Sequence, residues 1–450
     1  MSYKIQIPKL KSKKRLAQYD IFSPIEPQMT SISSKSLEIV RLALSQISPN
    51  MHQSVAPMVF APLANHINGV EFQYSSNVWF ELAGILQHLV AGSGGGKSEF
   101  TRLAEAICRE FRVHDKAEMQ KLVEWQKLVK SKAANKEKPV RPEVSFWFPP
   151  CDVTNPAFIQ NAMACENAGE HAQYYNLPEV EMADGMCGGH KKVSKLMRNI
   201  YDVTRDGQLR ATADGVIGDP VLRVNMSISS TPEAARKFYK TDLRIGTFGR
   251  VMFSYKPRGE RSGKIPRQGE FEEDFQEKLD AIIARLKACK GRFKVPQLNK
   301  LADQLALEFT DISNLYDDEV VYETMTRAIQ TAWKCGCILF ILNGLEYTKA
   351  IGDFVVWLAY HDMWSKMMIF GDMLRKSEED QVDNTKSGPK NMLDSLPESF
   401  SEAQLEALRV SEDKPKEGTK RQLRVWRNRG FITYSAETAL YTKTPEYLNR

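Results

Sequence analysis

The stretch Ala91-Gly-Ser-Gly-Gly-Gly-Lys-Ser98 constrains this chain more than any other segment. It has the spacing of a phosphate-binding loop, with Ala91 where the first glycine usually stands. Ile85–Val90 before it reads as a short strand. Glu99–Phe111 after it reads as a helix with Phe100, Leu103, Ile107 and Phe111 on one face. Strand, glycine-rich loop and helix together predict a nucleotide site. Gly92, Ser93, Gly94, Gly95 and Gly96 let backbone N–H groups close around a polyphosphate at the positive end of the helix. In such a loop Lys97 reaches the β and γ phosphates of ATP and the Ser98 hydroxyl ligates Mg²⁺.

The rest of the chain reads as α/β. Candidate strands at 144–148, 172–177, 221–228 and 249–255 alternate with candidate helices at 156–167 and 192–201, which predicts a mainly parallel sheet. Asp152 or Thr154 is placed to cap the helix beginning at Pro156. This core is expected over 58–269, with a lysine-rich helical insertion at 113–142 whose charges form a solvated face or a DNA-touching arm. Residues 1–57 read as a basic arm and an amphipathic helix. Residues 270–375 read as an all-helical subdomain and 376–394 as a polar linker.

Residues 395–450 have the pattern of a winged helix: a helix near 400–408, a basic helix at 419–430, and a hairpin of 431–434 with 439–442. Lys420, Arg421, Arg424, Arg427 and Arg429 crowd the basic helix and suit a DNA groove or backbone, though winged helices also bind proteins.

A phosphate loop needs a carboxylate on a nearby strand to organise metal or water. Glu179, after the strand ending at Leu177, is the candidate for both tasks; Pro178 replaces the usual Asp, so Glu181 or Asp184 would have to supply the second acid. Asn225 and Ser230 are candidates for contacting the γ-phosphate or the attacking water. Arg250 reads as an arginine finger acting on a neighbouring subunit, or as a structural salt bridge.

The formal charge of +6 permits a nucleic-acid partner without demanding one. Seven scattered cysteines show no disulfide framework and suggest a reducing, cytoplasmic setting. Cys187 and His190 lack a second ligand pair for zinc, and Cys335 and Cys337 read as packing. Apolar runs are shorter than the ~20 residues of a membrane span, so no membrane is expected.

The order of these elements resembles a family of P-loop proteins carried by phages and by mobile elements of Bacteroidetes. Its members look like primase-associated and superfamily-3-type helicase ATPases. The resemblance covers roughly 58–374 and rests on Ala91–Ser98, Asp152-Val-Thr-Asn-Pro-Ala157, Leu177-Pro-Glu179 and Gly246-Thr-Phe-Gly-Arg250. It implies an ATPase working in DNA replication or mobilisation. The expectation is a DNA-dependent ATPase of helicase or initiator type, assembling as a homo-oligomer. The alternative is an ATP-gated adaptor that recruits a primase, recombinase or transposase without unwinding. A small-molecule kinase fits a chain of this length poorly.

Overall fold

The computed structural model describes residues 19–131, 139–186, 193–210, 215–240, 243, 246–258, 270–316, 318–382, 392–412 and 414–448. The chain forms two compact units. One comprises 1–305 with 326–371, the other 306–325 with 372–450. Helices of the 270–375 stretch contribute to both.

The first unit is built on strands β1 (Val70–Ser75), β2 (Val78–Glu81), β3 (Leu86–Ala91), β4 (Gln173–Leu177), β5 (Gln208–Leu209), β6 (Ile217–Gly218), β7 (Val224–Ser230), β8 (Val251–Lys256) and β9 (Gly291–Lys294). Its central sheet is all-parallel, in the order β4-β7-β3-β8. Every residue of β3, β4 and β7 is buried, as expected of a parallel sheet covered on both faces. The polar members are answered inside. Gln87 accepts from the Ala61 N–H at 3.0 Å, and the His88 ring bonds Ser230 Oγ at 2.8 Å and Tyr239 Oη at 3.1 Å. Burial pushes the His88 pKa down to about 3, so the ring is neutral and can serve one neighbour as donor and the other as acceptor.

The free edge of β8 is covered by the helix Lys349–Val382. Asp362 accepts the Phe253 N–H at 2.8 Å and Ser365 accepts the Tyr255 N–H at 3.0 Å. Side chains of one helix thereby replace the strand that a ladder would otherwise require. Lys366, buried with Asp362 at 2.8 Å, balances its charge.

Several sequence expectations change. Residues 1–18 lie outside the described region, but 19–34 are not a loose arm. Tyr19 and Ile21 are buried, Trp364 donates to Ser23 O at 2.8 Å, and Trp357 donates to Pro27 O at 3.0 Å. Buried indole N–H groups need acceptors, and this strap supplies them. The amphipathic helix expected beyond it is Glu38–Ser45. Residues 144–148 are not a strand. Asn161 holds both the N–H (2.7 Å) and the C=O (2.9 Å) of Phe146, and Asp115 accepts from Trp147 and Phe148 at 2.8 and 2.7 Å. Side chains satisfy that backbone, leaving one ladder-like bond, Tyr174 N–H to Trp147 O at 2.8 Å.

The lysine-rich segment is the helix Arg109–Ser131, which follows Lys97–Ile107 after a break at Cys108. Only Phe111, Asp115 and Glu118 are buried, so its distal half carries the solvated face. Thr154, rather than Asp152, caps Asn155–Asn167 by accepting from the Ala157 N–H. The antiparallel pair β1–β2, with β9 parallel to β1, was not foreseen.

In the second unit, helices Glu402–Ser411 and Thr419–Asn428 precede the hairpin of β11 (Ile432–Ser435) and β12 (Leu440–Lys443). β10 (Ser399–Phe400) pairs with β12 to make a three-stranded antiparallel sheet. Ser401 and Gln404 form a capping box on the first helix. Phe400, Leu405, Leu423, Trp426 and Ile432 form the core, and Met392 and Leu393 join it. The expected linker at 376–394 therefore loses both ends: the preceding helix runs to Val382, and Met392 and Leu393 are core.

Glu26 sits in the strap with its carboxyl buried, which raises its pKa from 4.5 to about 7; Lys256 opposes the rise, and His361 Nδ1 is 3.9 Å away. A folded state that holds the proton more tightly loses stability as pH rises through this window. Urea melts at about pH 5 and about pH 8 are expected to show a smaller loss of stability in Glu26→Gln than in the wild type.

Candidate functional site

The phosphate loop leaves the carboxyl end of β3, the third strand of the sheet, and enters the N-terminus of Lys97–Ile107. Gly96 caps that helix with φ +90°, a left-handed conformation that a side chain would strain. At Gly95 a Cβ would come within 2.8 Å of Gly92 O. The Gly95 N–H donates to Gly92 O at 3.0 Å, closing the turn. Lys97 Nζ lies on the carbonyls of Ala91 (3.1 Å) and Gly92 (3.2 Å), while Ser93, Gly94 and Ser98 are exposed. Beneath the loop, buried Glu99 accepts the Ser48 N–H at 2.7 Å, anchoring it to the segment before the sheet.

Because the strands are parallel, their carboxyl ends share one sheet edge, and that edge sorts the candidates. Glu179 follows β4 and so lies on the loop's edge, exposed. One strand, β7, separates β4 from β3, a span of about 10 Å. Glu181 is exposed in the same turn; the side chain of Asp184 lies outside the described residues. Ser230 pairs with Val90 and also stands at this edge, but its hydroxyl bonds His88 and Thr231 O.

Asn225 does not belong to the site. It precedes Met226, the partner of Leu86, and its Oδ1 accepts the Ile85 N–H at 3.1 Å. That places it six residues, or about 20 Å, from the start of the loop, at the amino end of the sheet. Its role is to satisfy the backbone where the loop strand begins. Arg250 also stands at the amino end, just before Val251, the partner of Leu86. It donates to Asp202 at 2.7 Å and to Gly246 O at 2.9 Å, so the salt bridge is the reading realised.

Lys256 was missed. It ends β8 beside Ala91, and its Nζ donates to Gly95 O at 2.9 Å. The only sequence signal is a lysine closing an alternating strand.

In the second unit, Lys420, Arg424 and Arg427 are exposed on the basic helix. Arg421 instead lies over the Tyr316 ring at 4.4 Å, and Arg429 is 3.9 Å from Asp318. Two of the five expected cations are thus drawn toward residues about a hundred positions upstream. Cys187 and His190 lie outside the described residues, and no cluster of three metal-ligating groups exists among those described. Cys335 and Cys337 are buried with raised thiol pKa values, consistent with packing. Among the described residues, no helix is long and apolar enough to cross a membrane.

No protein-family model matches the chain, and no curated protein matches it.

The two fates of the polar strand residues can be separated experimentally. Asn225→Ala is expected to lower stability by about 1–3 kcal/mol through the orphaned Ile85 N–H. Nucleotide affinity of the folded fraction should stay at the wild-type level; urea melts and nucleotide titration read the two effects.

Proposed function

We propose that the chain is a DNA-dependent ATPase of helicase or replication-initiator type, with a P-loop core and a winged-helix module. The observation that carries this reading is the glycine loop between the central parallel strand and a helix N-terminus, with Lys97 folded onto its carbonyls. The residues fit a polyphosphate: open space stands where Cβ atoms would project at Gly92 and Gly94, and Ser98 is exposed at the helix start.

ATP with Mg²⁺ would supply the phosphoanhydride and the metal charge. Lys97 would leave the carbonyls for the phosphates, Ser98 would hold the metal, and Glu179 would orient water from the same sheet edge. Assembly into a homo-oligomer belongs to this reading, without Arg250 as its finger. The order β10, two helices, β11, β12 supports the winged-helix module, with Lys420, Arg424 and Arg427 facing DNA.

Glu179 keeps a second reading open. Its exposure, with Pro178 in place of an acid, favours slow hydrolysis, as in an ATP-gated adaptor recruiting a primase, recombinase or transposase.

Steady-state ATP hydrolysis with and without single-stranded or duplex DNA tests the first reading. Stimulation by DNA that vanishes in Lys97→Ala is expected; tight binding with little turnover on any DNA selects the adaptor. Replacing Lys420, Arg424 and Arg427 with alanine should weaken DNA binding and reduce the slope of log K against log salt by about 2–3, read by anisotropy across a salt series.

A further inference from the structure

The lysine that ends β8 has a geometry that the reading above does not use. Lys256 pairs with Ala91 in the β3–β8 register, so it stands level with the first residue of the loop. Its half-buried ammonium reaches across to Gly95 O at 2.9 Å. Burial lowers its pKa, and Glu99 and Glu26 are the acids that counter the shift. A lysine held in place against its own desolvation differs from one extended into water.

The loop explains what that contact does. Gly95 and Gly96 carry no side chains to fix their shared peptide, and Gly96 adopts φ +90°. A peptide is planar and trans, so its C=O and N–H point in opposite directions. Tying Gly95 O to Lys256 therefore turns the Gly96 N–H away from β8. Lys97 meanwhile occupies the carbonyls of Ala91 and Gly92. Three loop carbonyls thus face ammonium groups, an arrangement that leaves the intervening N–H groups for an anion.

We propose that Lys256 is a positioning residue of the nucleotide loop, holding the Gly95 carbonyl so that the Gly96 N–H faces the bound phosphates. This rests on the ATP-binding reading of the loop. The role is distinct from that of Lys97: Lys256 acts through the backbone and belongs to a different strand.

The test compares wild type, Lys256→Met, Lys256→Gln, Lys256→Arg and Lys97→Ala, using Mg·ATP binding, steady-state hydrolysis and thermal melting. Loss of a charge-assisted hydrogen bond predicts about a tenfold rise in the Kd for Mg·ATP with Met or Gln. KM should rise more than kcat falls, and Arg, which keeps a cationic donor, should recover most of the affinity. Met or Gln variants that melt and bind like the wild type overturn the proposal. So does equal weakening by Met, Gln and Arg together with a lowered melting temperature, which marks a packing role. If Met fails to fold, Gln carries the same comparison. If the wild type binds Mg·ATP and Lys97→Ala does not, while Lys256→Met and Lys256→Gln match the wild type, only the Lys256 inference falls. If the wild type itself does not bind Mg·ATP, the nucleotide reading falls and takes this inference with it.

Discussion

The parallel pairing of β3 with β7 and β8 is the constraint on which the candidate site depends. It sends all carboxyl ends to one edge, and only residues released there can share a ligand with the loop. Glu179, Ser230 and Lys256 meet that condition; Asn225 and Arg250, at the opposite edge, do not. Position along a strand, counted at about 3.3 Å per residue, decides this before any side-chain chemistry does.

A buried parallel sheet tolerates polar side chains only when each is answered, and here the answers fix the architecture. Gln87 ties β3 to the helical segment before it, and His88 joins β3 to β7 and to Tyr239. Asp362 and Ser365 close the β8 edge, while Ser254 bonds His361 at 3.0 Å and Ser54 O at 2.7 Å. A one-residue slip of β8 would move its N–H groups away from the acceptors on the covering helix. These bonds add specificity of register to the stability given by apolar burial.

Local pattern carried far in the sequence. The phosphate loop, the capped helix at 155–167, β4, β7 and the hairpin of β11 and β12 were legible because their signals lie within a few residues: glycines, caps and alternation. The segment 144–148 alternates like a strand, yet its backbone is satisfied by Asn161 and Asp115, which no local pattern announces. The strap at 19–34 looked like a loose arm because its partners, Trp357 and Trp364, lie more than three hundred residues away.

By itself the sequence determined the loop, its strand and helix, and the run of basic residues at 419–430, since composition and short-range periodicity suffice for each. Tertiary structure decided which polar residues share an edge with the loop, and which basic residues face outward. It drew Arg421 to Tyr316 and Arg429 toward Asp318, paired Arg250 with Asp202, and set Lys256 on Gly95. The reason is physical: a charge takes its role from the groups that desolvate and neutralise it, and those groups arrive from distant parts of the chain.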